Sequence, residues 1–346
     1  MNSPAHSSRC SRRRFLLRGA AGTAAAVVAG RQRGRTAGSG DTNPYAYSVG
    51  VHEKTDPALV KYVERRRIDL PWKEARRLAV TPQGNLLVAA GQRLGEVTPD
   101  GSAVREVPMA APLRCVAVAA DGTIYAGFRA HLEVFEADGK RRATWEKSPE
   151  RSWFTGIAVT DDAVFAADAG ARVILRHDLA GQVTARIGER DKDRDIPGFV
   201  LPSPYLDVEW HPDGLLRVNN PGRHRVEFYT PDGALEFAWG RPTMAIEGFS
   251  GCCNPVNLAV LSDGRLVTCE KGLPRVKVYS AHGDFECVVA GTEMFPENAQ
   301  AGAGDGFGDG TRASLDAVVG PEDRIYILDT VTAQIHVMER KPTANS

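Results

Sequence analysis

One pattern is written six times along this chain: an apolar strand, a tight polar turn, a second apolar strand, a polar loop, then a third strand. The copies open at Arg77-Leu-Ala-Val, Cys115-Val-Ala-Val, Gly156-Ile-Ala-Val, Asp207-Val-Glu-Trp, Asn257-Leu-Ala-Val and Asp316-Ala-Val-Val. Their turns follow at Gln83-Gly84, Asp121-Gly122, Asp161-Asp162, Asp213-Gly214, Asp263-Gly264 and Glu322-Asp323. A repeat of roughly 40 residues or more holding several strands is the signature of a β-propeller, since one such unit cannot bury its apolar faces alone. The fold class expected is all-β: a single six-bladed propeller of four-stranded blades.

Within each copy, alternation marks the later strands. Third strands are expected at residues 132–135, 173–176, 226–229, 276–279 and 335–338. Tight turns at Asp100-Gly101, Asp138-Gly139, Asp232-Gly233 and His282-Gly283 then lead into fourth strands such as 142–145, 235–239 and 285–289. The sixth copy stops after its third strand, leaving an open edge. Residues 61–68 alternate in the manner of a strand and are expected to close the ring against that blade, with a short helix from Pro57 as the alternative. This strand order puts all the short turns on one face. The long segments 188–205, 240–256 and 291–314 fall on the opposite face, where function concentrates on such scaffolds.

The N-terminus differs in kind. Arg12-Arg13-Arg14-Phe15-Leu16-Leu17 precedes an Ala/Val-rich stretch with no acidic residue before Asp41. Residues 1–30 have the form of a twin-arginine export signal, residues 31–55 of a linker, and residues 56–342 of the propeller. The expectation is a periplasmic or extracytoplasmic protein. The apolar run is too short for a stable membrane span once the signal is cleaved. Lys+Arg and Asp+Glu both number 43, so no bulk charge steers the chain to nucleic acid. Aromatic residues make up 7%, and no basic–aromatic platform for single strands is present. A monomer with a protein partner or a small ligand is expected.

The copies resemble NHL repeats, whose pattern runs Gly-Ile-Ala-Val, Asp-Gly, Ile-Tyr-Val-Ala-Asp, a polar loop, then Arg-Val-x-Val-Phe. The likeness spans about residues 77–340; Gly156 to Asp168 with Arg172 to Leu175 is close, as is Leu315 to Asp329 with Gln334 to Met338. Gly304-Asp305-Gly306 resembles a loop that such repeats carry between blades. The resemblance implies the propeller fold and is nearly silent on activity, because the family mixes interaction propellers, RNA binders and lyases.

Three constellations stand out for chemistry. The sharpest is Gly251-Cys252-Cys253-Asn254-Pro255, leading into the fifth inner strand and so to the channel mouth. Adjacent cysteines suit a strained vicinal disulfide that stiffens a loop, a labile redox or partner contact, or two thiolates on Cu or Zn. Cys269 packs as a small apolar group or approaches the pair. Second, the residue opening the inner strand is Asp207, Asn257 and Asp316 in blades four to six. Those three oxygens around one axis suggest a cation such as Ca or Zn and, with it, a hydrolase or lyase; each also suits capping of its own loop. Third, Arg172, Arg223, His224 and Lys271 sit in second-to-third loops and suggest an anionic ligand. The leading expectation is a binding propeller using the long-loop face near Cys252-Cys253, in a redox or metal-handling setting. A metal-dependent hydrolase or lyase at the channel is the alternative.

Overall fold

Each copy folds into a four-stranded antiparallel sheet, and a computed structural model describes residues 50–145, 151–302 and 314–342 of the chain. Blade one runs outward from Ala75–Val80 through Leu86–Ala90 and Arg93–Val97 to Ala103–Pro108. The inner strands of the others are Cys115–Val118, Phe154–Val159, Val208–His211, Asn257–Val260 and Leu315–Val319. Neighbouring inner strands touch around a central channel.

Burial explains the pattern of letters. Second strands have blades on both faces, so Leu86–Ala90 and Ala163–Asp168 are buried at every position and read as unbroken apolar runs. Outer strands face solvent on one side, and Val183–Ile187 is exposed or half-buried until its last residue. The core is a set of inter-blade clusters rather than one centre; Leu206, Val208 and Val218 of blade four pack on Phe165 and Ile174 of blade three. Turn glycines make part of this packing. Gly283, at φ +94°, lies over Trp239, where a Cβ would stand 2.4 Å from the ring.

The ring closes as its letters suggest. Tyr62–Asp69 pairs antiparallel with Gln334–Arg340 and supplies the fourth strand of blade six, with Tyr62 opposite Arg340 and Ile68 opposite Ile335. Ile68, Leu70 and Trp72 then pack with Tyr326, Leu328 and Ile335, sealing blade six to blade one. No helix among the described residues is long and apolar enough to cross a membrane. The export signal at 1–30, most of the linker at 31–55 and the Gly304-Asp305-Gly306 loop lie outside the described residues.

Candidate functional site: the long-loop mouth of the channel

The three oxygen-bearing residues that open inner strands four to six do converge, but on a side chain. Arg77, which opens inner strand one, sends its guanidinium across the axis. Its Nη2 lies 2.5 Å from Asp207 Oδ1, its Nη1 lies 3.0 Å from Asp316 Oδ1, and Nη1 also donates to Asn257 Oδ1. The second atom of each side chain clasps the next blade. Asp207 Oδ2 accepts from the Leu258 amide at 2.9 Å, and Asp316 Oδ2 from the Leu78 amide at 2.7 Å; Asn257 Nδ2 donates to the Leu315 carbonyl at 2.6 Å. Gly156 completes the ring by having no side chain, since a Cβ there would lie 2.4 Å from Asp207 Oδ1.

Asp207, Asn257 and Asp316, expected as ligands of a cation, are partnered here by Arg77. A guanidinium stands where a Ca or Zn ion would, and its planar fork satisfies the two carboxylates that would be the metal's ligands. Among the described residues, no group of three or more His, Cys, Asp or Glu side chains is placed to hold a metal. Burial alone would discharge Arg77, but Asp207 and Asp316 more than offset it and hold it charged. Burial pushes Asp316 up to about 6, with Arg77 opposing and Asp207 adding.

The arginine ring is the floor of the long-loop mouth. Above it Arg76, Arg114, Trp153, Tyr205 and Thr330 enclose a pocket with about 40 Å³ of open space. That volume suits a few waters or one small polar group. An organic ligand would therefore rest on the rim and send only a small group inward.

The rim has two cationic–aromatic stations. On one side Trp153 lies under both the Arg114 and Arg129 guanidinium groups, at 4.4 and 5.1 Å from its ring. On the other, the Lys271 ammonium stands 4.8 Å over the Tyr205 ring and donates to Ser203 Oγ at 3.3 Å. The Ser203 hydroxyl donates in turn to Cys253 Sγ at 3.0 Å, and Cys252 Sγ lies 3.2 Å from Cys253 Sγ. Both cysteines are free thiols, Cys253 buried and Cys252 exposed. The hydrogen bond to Cys253 is the main cause raising Cys252 above the ordinary thiol value, while Lys271 pulls it down.

The cysteine loop is held from beneath. Glu270 accepts from Arg275 at 2.9 Å and is ion-paired with Lys277 at 2.7 Å, all three buried, and Lys277 Nζ donates onward to the Gly248 carbonyl at 2.6 Å. Arg275 thus belongs to the loop's foundation. Asn254 is a positioning residue: its Oδ1 accepts from the Lys271 amide at 2.9 Å and its Nδ2 donates to the Ser250 carbonyl at 2.7 Å. His224 Nε2 donates to the Gly251 carbonyl at 2.6 Å and clamps the same loop.

Cys252, Cys253, Asn254, His224 and Lys271 therefore come together. Arg172 and Arg223 do not join them; they line a separate recess of about 540 Å³ with Arg190 and Phe199. Cys269 is packed in the core at 0% exposure, beside Val256 and Val267. Sequence reasoning missed Trp153, Ser203 and Tyr205. The available signal was an aromatic residue just before an inner strand in a chain where aromatics are sparse.

No family model matches the sequence, and no curated protein matches it. Solved structures do resemble the fold. A streptogramin B lyase is 12% identical, with 83% of this chain and 100% of that chain covered and a TM-score of 0.56. The lattice of blades is shared. A catalytically inactive virginiamycin B lyase from Staphylococcus aureus, solved with quinupristin, is 14% identical over 78% of this chain and 81% of its own, with a TM-score of 0.53. A chain of a mitotic checkpoint complex is 11% identical over 86% and 96%, with a TM-score of 0.54. At such identities the likeness shows a six-bladed β-propeller and nothing of its activity.

Proposed function

We propose that this chain is an exported, NHL-type binding propeller that takes an anionic small ligand at the long-loop mouth, beside Cys252-Cys253. One observation carries the reading: two cation-over-aromatic stations, Arg114–Trp153–Arg129 and Lys271–Tyr205, flank a mouth whose floor is sealed by Arg77. Stations of this kind offer a flat apolar face beside positive charge, which suits an anion attached to a planar or apolar body. The thiol pair lies one serine away from Lys271, so a ligand bound there would also cover Cys252. That contact is what supports a redox-responsive or metal-handling role.

A lyase reading is not favoured. The virginiamycin B lyase neighbour is described as inactive after replacement of a histidine, whereas no histidine lines the mouth pocket among the described residues. The test is a calorimetric screen of the purified chain with aromatic carboxylates and phosphates. The wild type is expected to bind a subset, and Trp153→Ala and Lys271→Met are each expected to weaken that binding about tenfold. Unchanged binding by both variants, or full partner recovery by a Cys252→Ser/Cys253→Ser protein, would overturn the placement.

A further inference from the structure

Below the arginine ring the channel changes character. Two positions further along each inner strand stand Ala79, Ala117, Ala158, Ala259 and Val318, all small and apolar, and in blade four Glu209. They surround a cavity of about 250 Å³. No hydrogen bond or ion pair within the protein engages the Glu209 carboxyl among the described residues. Glu209 is half-buried there, and an unpaired carboxyl drawn partly out of bulk water is costly unless a ligand, water or proton compensates it.

We propose that this lower half of the channel binds a small apolar ligand carrying a protonated amine, with the Glu209 carboxylate as its counter-ion. The sign of charge follows from the neighbours. The charged groups facing Glu209 are Asp207, Arg77 and Asp316, on its own and two other inner strands. Two carboxylates against one guanidinium leave that layer short of positive charge once Asp316 ionises. Cys115 adds none, since burial pushes its thiol up to about 12. A cation entering the tube relieves this field, and an anion meets repulsion. The alanine and valine side chains along the wall supply the remaining affinity.

The approach is acidic as well. A recess of about 640 Å³ on the short-turn face shares Val118, Val159 and Trp210 with the channel and carries Asp121, Asp161 and Asp162 on its border. Burial, with Asp207 adding, raises Glu209 well above the usual carboxylate range and so toward holding its proton. A bound ammonium group displaces it: the carboxyl O–H breaks, the proton leaves to buffer, and the carboxylate pairs with the cation.

The test is calorimetric titration of the full chain with n-hexylammonium, n-hexanol and n-hexanoate at about pH 6 and about pH 8, in two buffers of different ionisation enthalpy. Hexylammonium is expected to bind with release of a proton, its affinity rising by up to about tenfold per pH unit while Glu209 remains protonated in the free protein. Hexanol should bind more weakly without pH dependence, and hexanoate not at all. Glu209→Gln copies the neutral form's shape, so its Tm should hold while hexylammonium loses at least about tenfold in affinity together with its pH dependence. Proton release in the wild type tests the idea independently of that variant. Equal binding of alcohol and ammonium, unchanged binding by Glu209→Gln, or no ammonium binding would each overturn it.

Discussion

The two halves of the channel are built from the same six strands yet present opposite chemistry. Above Arg77 the mouth is ringed by cation–aromatic pairs; below it the wall is alanine and valine around one carboxyl. The backbone repeats, so backbone geometry does not make the difference. It comes from the few positions where one copy departs from the others: arginine in blade one, glycine in blade three, glutamate in blade four. Repeat architecture lets single letters set the polarity of an axis because each copy delivers its letter to the same height.

The comparison breaks most violently at the divide itself. Arg77→Met would leave Asp207 and Asp316 buried, close together and uncompensated, and is expected to lower stability by about 3–5 kcal/mol. Urea unfolding would show this as a fall in midpoint, and adding Asp207→Asn with Asp316→Asn should restore most of it. A midpoint unchanged by Arg77→Met would mean that the guanidinium does not hold the blades.

A smaller effect sharpens the electrostatic side. Asp316 is raised from 3.8 unfolded to about 6 folded. The folded state therefore binds more protons between those values, and this group's contribution is fully present below about 4 and is lost as pH rises to about 6. The span corresponds to roughly 2–3 kcal/mol. Urea midpoints of the wild type and Asp316→Asn, compared across that window, should show the variant lacking this downward slope.

The smallest expected effect lies on the rim. Because Cys253 is the main cause raising Cys252 and Lys271 lowers it, alkylation of Cys252 near neutral pH should quicken a few-fold in Cys253→Ser and slow a few-fold in Lys271→Met. Mass spectrometry of the modified peptide reads this directly. Equal rates in all three proteins would separate Lys271 and Cys253 from the exposed thiol.

The sequence was most legible where periodicity carried the information. Blade count, inner strands and the closing strand follow from alternation and turn glycines, and they fall where the letters place them. The Asp207–Asn257–Asp316 column was legible too, as a convergence. Its occupant was not, because Arg77 stood in the same column as an apparent exception, and only three-dimensional reach shows that the exception fills the centre. Glu209 was hidden for a related reason: in one dimension it is a polar letter within a strand, ordinary for a half-exposed position, and only the channel sets it at one height with four alanines and a valine. The Arg172 and Arg223 loops share a face with Cys252, but spacing gives no distance around a ring.

The closing strand carries a consequence in time. Arg65 and Glu339, which pair across it at 2.9 Å, are separated by 274 residues. Joining ends so far apart adds only slowly to the entropic barrier, since that term grows with the logarithm of loop length. It does fix an order of events: five blades can assemble as the chain emerges from the ribosome, but the sixth must wait until its last strand is free. Once that strand is free but not yet closed, Gln334–Arg340 exposes an unpaired edge, and Tyr62–Asp69 of a second chain offers a matching strand. Crowded synthesis thus sets self-closure against strand exchange, with the concentration of unfinished chains deciding the outcome.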